Sequence, residues 1–243
     1  MESLNEEQVK FLSETVTFLG PVKIEEALID ETGFKAIDDS STLAILSTGA
    51  PTFPGRLGLV RLGQLKSRLD LVKTRVGFSV DYTTEVMKDD GDPEETEVEV
   101  INNLNLRAGT TKASYRAGNP FKIRAPKRPS FKILAYFGLA DTTVSQIQGA
   151  ISAFGPAKGV RFTFHNGIIS VEVNDDNGDN FSTEIGEVEG LDEDLSYVYN
   201  AERVASIFKL ALSEGSLKVG IGERGVLTVE KGSFSFYLMP TSK

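Results

Sequence analysis

The chain has 243 residues, no cysteine, one histidine and a net charge of −9, with 40% hydrophobic and 25% charged residues. This length suits one large domain or two ordinary ones, and the composition is typical of a soluble globular protein. Without cysteine there is no disulfide framework, and zinc sites and Cys–His nucleophiles are nearly excluded. No apolar run reaches the ~18 residues of a membrane span, and the polar start MESLNEEQ is unlike a signal peptide. We therefore expect a soluble, intracellular protein without a membrane partner.

A helix followed by three short strands is predicted four times along the chain, so the pattern is an internal repeat. Apolar residues at helical spacing predict helices at 6–19, 63–73, 141–154 and 201–212. The alternating runs that follow them are VKIEEAL, GFKAID and STLAIL; GFSVDYTTEV, ETEVEVI and LNLRAG; GVRFTFHNG, IISVEVN and NFSTEIG; and LKVGI, GVLTVEK and SFSFYLMP. The sequence thus predicts an α+β protein with two similar halves, each with two helices packed on antiparallel sheets.

Charge is unevenly distributed along the chain. Residues 100–140 contain no Asp or Glu, and their cations are Arg107, Lys112, Arg116, Lys122, Arg124, Lys127, Arg128 and Lys132. Residues 85–99 form one acidic block, and residues 172–194 hold ten acids and no base. This asymmetry predicts a basic surface suited to phosphate and a separate acidic one. The alternative is that these segments are solvated loops that keep the protein soluble.

Two of the predicted helices carry cations opposite their apolar stripes, with small hydroxyl residues between them. Such faces suit contacts with phosphate oxygens that do not read bases. The first helix has Lys10 but also Glu14, and the third has no cation. For any single helix, a plainly solvated face is the alternative. The candidate residues for contact with a nucleic-acid backbone are Lys10, Lys66, Arg68, Lys73, Arg75, Arg203 and Lys209.

The segment at 119–131, NPFKIRAPKRPSF, is predicted to connect the two halves. Its three prolines favour extended backbone, and Phe121, Ile123 and Phe131 should hold it against a surface. It is either a strap between domains or one wall of a groove for a partner peptide.

The order of these elements, the connector and the ending SFSFYLMP resemble the sliding-clamp family of DNA polymerase processivity factors. That family includes proliferating cell nuclear antigen (PCNA) and the T-even-type bacteriophage clamps. The likeness is clearest after residue 141, where FTFHNGIISVEV, FSTEIG, VYNAERVASIFK, LKVGIGERGVLTVEK and FSFYLMP follow the family's order. GFKAIDDSSTLAIL resembles the family's strand–loop–strand after its first helix, whereas residues 83–116 align with no part of it. The resemblance implies clamp domains at 1–118 and 132–243, joined by the connector at 119–131.

The resemblance also implies a function that is not enzymatic and needs no cofactor or metal. Three chains would close a six-domain ring around double-stranded DNA, with the helices toward the hole, and tether the replicative DNA polymerase. The implied partners are double-stranded DNA, DNA polymerase, a clamp loader and further copies of the chain in a homotrimer. Three copies would carry −27, three times the −9 of one chain, so the hole would need the opposite sign. The expected location is cytoplasmic and DNA-associated, in the host for a bacteriophage protein, or nuclear for a eukaryotic one.

Two other classes of function stay open at this point. One is a non-enzymatic ring-forming viral structural or assembly protein that does not bind DNA; it would not need basic helix faces. The other is a small carboxylate hydrolase, because 35 acids allow some pair to meet in space.

The family's partner site is a hydrophobic pocket under the connector, filled by a short peptide from polymerase or clamp loader. The residues that the resemblance assigns to it are Ile37, Leu43, Ile45, Phe121, Ile123, Pro126, Met239 and Pro240. Apolar side chains in such a pocket carry most of the binding energy of an interface. For Ile37, Leu43 and Ile45 the alternative is a simple core role.

Three short motifs have structural interpretations. GIGERG at 220–225 has dinucleotide-binding spacing, but it leads into another strand, which predicts a hairpin turn. DDNGDN at 175–180 resembles a calcium loop, but its ligand spacing fails, which predicts a polar turn. His165 in FTFHNG is expected at the end of a hairpin.

Overall fold

A computed structural model describes residues 2–88, 96–126, 130–154, 159–175, 178–188, 191, 194–212 and 216–241. In this part of the chain, a strand, an α-helix and three further strands follow one another four times. The contacts divide the chain into two units. The first comprises residues 1–39 and 46–127, and the second comprises residues 40–45 and 128–243.

The first unit contains two of the four repeats. Its elements are β1 (Glu2–Ser3), α1 (Glu6–Leu19), β2 (Glu26–Asp30), β3 (Gly33–Ile37), the end of β4 (Leu43–Ser47), β5 (Leu57–Val60), α2 (Leu62–Val72), β6 (Ser79–Lys88), β7 (Glu97–Ala108) and β8 (Thr111–Arg116). One sheet has the order β1-β6-β7-β8, and β5, β2 and β3 are neighbours in another. The helices α1 and α2 contact each other, and α2 packs on β7 and β8.

The second unit repeats this plan. Its elements are the start of β4, β9 (Ile133–Ala140), α3 (Asp141–Ala153), β10 (Gly159–His165), β11 (Ile168–Asn174), β12 (Asn180–Glu187), β13 (Leu195–Asn200), α4 (Ala201–Ala211), β14 (Ser216–Gly222), β15 (Leu227–Lys231) and β16 (Phe234–Leu238). One sheet has the order β12-β11-β10-β13, and the start of β4 lies beside β16 in the order β4-β16-β15-β14-β9. The helices α3 and α4 contact each other. In the described part of the chain, no helix is both long and apolar enough to cross a membrane.

The four predicted helices are confirmed to within one residue at each end. The first starts where it does because Asn5 and Gln8 form a capping box: the Gln8 amide donates to Asn5 Oδ1 at 2.9 Å, and the Asn5 amide donates to Gln8 Oε1 at 2.8 Å. The fourth starts after Asn200, whose Oδ1 accepts from the Arg203 amide at 3.0 Å. Its stripe of Val204, Ile207, Phe208 and Ala211 is buried, as its spacing predicted.

Two strand predictions were wrong. LNLRAG is not a separate third strand; it is the end of the long β7, and the third strand is β8, in the stretch that aligned with no family member. β7 continues through Asn102 and Asn103: Asn102 is the extra residue of a bulge in β7, and its Oδ1 accepts from Thr83 Oγ1 on β6 at 2.5 Å. The strand predicted at VKIEEAL was placed too early in the chain, since β2 begins only at Glu26.

Aromatic side chains fill the core of each unit. In the first unit, the rings of Phe11 and Phe34 meet edge to face at 6.1 Å. In the second unit, Phe162 contacts Tyr199 and Phe208, with ring centroids 5.6 and 6.3 Å apart. Burial raises the pKa of Tyr199, whose hydroxyl donates to the Gly225 carbonyl at 2.7 Å. The core therefore satisfies this polar group while excluding water from it.

Candidate nucleic-acid interface and connector

The exposed face of α2 carries the largest group of predicted DNA-binding cations. Lys66 Nζ lies 2.6 Å from Asp70 Oδ2, and Lys73 pairs with the other oxygen of the same carboxylate. Hydrogen bonds from these two lysines hold the pKa of Asp70 below its ordinary value. Arg68 Nη2 is 3.4 Å from Gln64 Oε1 one turn earlier. The exposed face of α2 is therefore positively charged overall, although Asp70 partly neutralises it.

Three more cations lie around the two ends of α2. Arg75 Nη1 donates to Thr111 Oγ1 at the start of β8 at 2.7 Å, which ties this arginine to the strand that α2 covers. Lys112 follows on β8 and is exposed. At the other end of the helix, Arg61 has a left-handed backbone (φ 52°) and donates from Nη2 to the Arg116 carbonyl at 3.0 Å. Sequence reasoning did not assign Arg61, because no periodicity marks a residue just before a helix.

The other helices contribute fewer cations. Lys10 on α1 and Lys209 on α4 are exposed, Arg203 on α4 is half-buried, and α3 has no Lys or Arg. The acids on α1, α3 and α4 lie mostly in the first turns, where the positive end of the helix dipole favours them: Glu6, Glu7, Asp141 and Glu202. The predicted DNA-binding residues thus concentrate on α2 and α4.

The connector begins as an ordered part of the first unit. Gly118 donates to the Gly58 carbonyl on β5 at 2.8 Å, and a side chain at Gly58 would collide with the carbonyl of Gly118 and with Ile123 Cδ1. Ile123 is buried there, and Arg124 Nη1 donates to the Asp39 carbonyl at 2.9 Å. Close backbone contact at a glycine therefore holds this stretch against β5, as its apolar residues predicted.

Phe121 is held by an aromatic–cation contact. The Arg56 guanidinium carbon lies 5.6 Å from the centre of the Phe121 ring, while the same guanidinium donates to Glu31 at 2.8 and 3.0 Å. This hydrogen bonding lowers the pKa of Glu31. The half-buried Phe121 ring thus packs on an arginine side chain that is itself held by Glu31.

The end of the connector and the C-terminal residues belong to the second unit. Phe131 packs edge to face on Tyr237 at 5.7 Å. After β16, the Met239 amide donates to the Thr42 carbonyl at 2.8 Å, and the Thr241 amide donates to the Val198 carbonyl at 2.7 Å. Met239 and Pro240 are thereby held in place while their side chains stay half-buried.

The residues assigned to the partner pocket differ in burial. Leu43 and Ile45 are fully buried at 0% exposure, which fits their alternative role as core residues, and Ile123 is also buried. The half-buried members are Ile37, Phe121 and Pro126 in the first unit and Met239 and Pro240 in the second. These five are the members with surface to offer a partner.

The other motifs are structural. The turn Asn166-Gly167 has positive φ at both positions (50° and 77°), as a two-residue hairpin requires, and His165 at its start hydrogen-bonds Asp194 at 2.7 Å. GIGERG ends β14 and turns into β15, so the hairpin interpretation is confirmed. Asp175 Oδ1 accepts a hydrogen bond from the Asp179 amide at 2.9 Å. Among the described residues, no group of three or more His, Asp or Glu side chains is placed to hold a metal ion.

Several residues of the charged segments and motifs lie outside the described residues. They are Asp89, Asp90, Asp92, Glu94, Glu95, Lys127, Arg128, Asp176, Asn177, Glu189, Asp192 and Glu193.

No protein-family model matches the chain, and no curated protein matches it by sequence. Solved structures match it over nearly its whole length. The structure of the C-terminal region of FEN-1 bound to A. fulgidus PCNA has a TM-score of 0.63 at 15% identity, covering 97% of this chain and 96% of that one. The chain has the PCNA fold.

Two further PCNA structures support this assignment. The PCNA2–PCNA3 complex from Sulfolobus tokodaii has a TM-score of 0.62 at 18% identity, covering 99% of both chains. PCNA from Entamoeba histolytica has a TM-score of 0.63 at 13% identity, covering 98% of this chain and 97% of that one. The predicted α+β clamp fold with two helices per domain is therefore confirmed. At these identities the likeness establishes the fold alone.

Proposed function

We propose that this protein is a sliding clamp that encircles double-stranded DNA and tethers the replicative DNA polymerase. The observation that carries the proposal is the PCNA fold over 97–99% of the chain. The cations on the exposed faces of α2 and α4 add to it, because helices of a ring-forming structural protein would not need them. The proposed ring is a homotrimer, and its place in the cell is with replicating DNA.

The proposed mechanism is topological and uses no catalytic residue, cofactor or metal. A closed ring holds duplex DNA by enclosure, so each side-chain contact with the backbone can be weak and short-lived. Phosphate contacts by Lys and Arg do not depend on base sequence and weaken as salt rises, which permits sliding. Asp70 moderates the cations of α2 further by pairing with Lys66 and Lys73. We therefore expect weak binding to short linear DNA and strong retention on closed circles.

Retention on circular DNA tests the enclosure. After loading by a clamp loader, the protein should stay on a nicked circle and leave once the circle is linearised. The variant Lys66→Ala/Arg68→Ala/Arg203→Ala/Lys209→Ala should weaken loading and polymerase stimulation while leaving the oligomeric mass unchanged. Normal stimulation by this variant across a range of salt would remove α2 and α4 from the DNA interface. Equal retention on circular and linear DNA would contradict enclosure itself.

The mass in solution tests the ring. Light scattering at micromolar protein should give three times the 26.4 kDa of one chain, with dissociation toward monomer on dilution. A monomer or dimer at every concentration would contradict a closed ring of three chains.

We also propose that a short peptide from polymerase or clamp loader binds the half-buried apolar residues at the connector and C-terminus. A solved PCNA structure contains the C-terminal region of a partner protein, which supports this kind of binding. Phe121→Ala and Met239→Ala, tested one at a time, should each weaken a polymerase C-terminal peptide about tenfold or more, as for buried interface anchors. Calorimetry measures this, with Val86→Ala as a control at an exposed apolar position on β6. Unchanged affinity in both variants would remove the assignment and leave the ring intact.

A further inference from the structure

Arg56 lies between the connector and the turn that joins β2 to β3. Its backbone is held on β7: the Arg56 amide donates to the Glu99 carbonyl at 2.9 Å, and the Arg56 carbonyl accepts from the Ile101 amide at 2.9 Å. A Cβ atom at Gly55 would lie 2.8 Å from the same Glu99 carbonyl, so the missing side chain allows the two backbones to approach closely. Hydrogen bonds therefore fix the base of the Arg56 side chain.

Glu31 fixes the other end of this side chain. Its two carboxylate oxygens accept from Nε and Nη2 of Arg56 at 3.0 and 2.8 Å, the bidentate arrangement that gives an arginine pair its geometric specificity. The turn itself is braced, because Asp30 accepts from the Thr32 amide at 2.8 Å and from the Thr32 hydroxyl and Lys35 Nζ at 2.6 Å. The Glu31 side chain is 62% exposed, so the ion pair adds little to stability and acts mainly on the orientation of Arg56.

The backbone of Phe121 is fixed without help from Arg56. Phe121 is the middle residue of a single 3₁₀ turn at Pro120–Lys122, in which Pro120 is buried and Asn119 Oδ1 accepts from the Phe121 amide at 3.0 Å. This turn leaves the side-chain torsions of Phe121 to be decided by what the ring contacts. The half-buried ring lies against Arg56, whose guanidinium carbon is 5.6 Å from the ring centre.

We propose that Arg56 and Glu31 are positioning residues that hold the Phe121 ring in the orientation in which it receives a partner peptide. The inference rests on the proposed function, because Phe121 is one of the half-buried residues assigned to that peptide. A ring that is already fixed loses less conformational entropy when a peptide covers it, so the peptide binds more tightly. Arg56 and Glu31 act through Phe121 and need no contact of their own with the peptide.

The affinity for a polymerase C-terminal peptide tests this role. Arg56→Ala should weaken binding about two- to tenfold in calorimetry, which is the cost of fixing one side chain on binding. Arg56→Lys keeps the cation but loses the bidentate pair, and it should recover part of the loss. In a Phe121→Ala background, Arg56→Ala should weaken the peptide no further, because the residue through which it acts is gone.

Lys35→Ala is the matched control for the affinity measurements. It removes another ion pair of the same turn, the one between Lys35 Nζ and Asp30 Oδ2 at 2.6 Å, and should leave the peptide affinity unchanged. Circular dichroism confirms that each variant folds. An unchanged affinity in Arg56→Ala, or an equal loss with and without Phe121, would overturn the positioning role.

A fluorescent reporter tests the ring position without any peptide. The chain has no tryptophan, so Phe121→Trp introduces a single indole at this place. Its fluorescence anisotropy should fall when Glu31→Gln or Arg56→Ala is added, because the ring then moves more freely, and Lys35→Ala should not change it. If Phe121→Trp fails to fold, the NMR line widths of isotope-labelled phenylalanine rings report the same change, with Phe121→Ala identifying the resonance.

The two measurements separate this inference from the proposed function. A ring whose mobility is the same with and without Arg56 would overturn the positioning role even if the peptide binds. An unmodified protein that binds no polymerase peptide would overturn the proposed peptide site, whereas the anisotropy still decides whether Arg56 positions the ring.

Discussion

The pair β4 and β16 and the pair β8 and β12 occupy equivalent places in the repeat but differ in chemistry. β4, LAILS, and β16, FSFYL, contain no charged residue, and Leu43, Ile45 and Phe236 are fully buried. β8 and β12 together contain two cations and two acids, all exposed. The same position in the fold is therefore apolar where its neighbour is supplied by the same chain, and charged where it is open.

An edge that is paired within one chain is covered as the chain folds, so apolar residues there do not stay exposed to solvent. Exposed charges on an unpaired edge keep it from pairing with other strand edges.

The largest expected effect is on the free energy of unfolding, for a substitution in the pair β4 and β16. Phe236→Ala on β16 removes a fully buried ring and should lower the free energy of unfolding by about 3–5 kcal/mol, since truncation in a packed core loses burial and leaves a cavity. Chemical denaturation measures the change, with the half-buried Ser235→Ala on the same strand as the control. A loss below about 1 kcal/mol would mean that β16 is not the core strand described here.

A smaller loss of stability is expected for a substitution at the buried face of β8. The Tyr115 hydroxyl donates to the Val60 carbonyl at 2.6 Å and accepts from the Val60 amide at 2.7 Å, and burial raises its pKa. Tyr115→Phe should lower the free energy of unfolding by about 1–3 kcal/mol, because both backbone groups lose a partner away from water. Tyr82→Phe is the control; its exposed hydroxyl bonds Glu2, and its loss should change stability less. Equal losses in the two variants would contradict the anchoring role of Tyr115.

The smallest effect concerns a charge that is already neutralised within the chain. Asp70→Asn releases Lys66 and Lys73 and should steepen the salt dependence of DNA retention by about one to two units of slope, one for each additional phosphate contact. Hydrogen bonds from Lys66 and Lys73 lower the pKa of Asp70 below its ordinary value, so only strongly acidic conditions would remove its charge and mimic the substitution. Ring mass should not change. An unchanged salt slope would show that these lysines do not meet DNA.

Much of the fold could be predicted from the sequence because its signals are local. Helix starts follow from caps such as Asn5 and from apolar spacing on α4, and the Asn166-Gly167 hairpin follows from turn chemistry. The division of β7 and β8 could not be predicted, because β7 continues through Asn102 and Asn103, where a bulge and a hydrogen bond from Thr83 on β6 accommodate the extra residue. That partner lies 19 residues away along the chain.

The candidate site was less predictable than the fold. Cations on helices could be named, but their pairing with Asp70 and the tie between Arg75 and Thr111 depend on side-chain positions. Leu43, Ile45 and Ile37 are all apolar residues on predicted strands. In the structure Leu43 and Ile45 are buried and Ile37 is half-buried, since burial depends on what covers a strand.

The fourfold repeat, the α+β class and the division of charge into acid-free and base-free segments could all be predicted from the amino acids, because periodicity and composition depend on a few neighbouring residues. Which of the four equivalent strands has a partner inside the chain depends on tertiary structure. Strand pairing joins residues far apart in sequence, and its energy comes from backbone groups that every strand has in common. Only the fold reveals that, among the described strands, the charged β8 and β12 each have one unpaired edge.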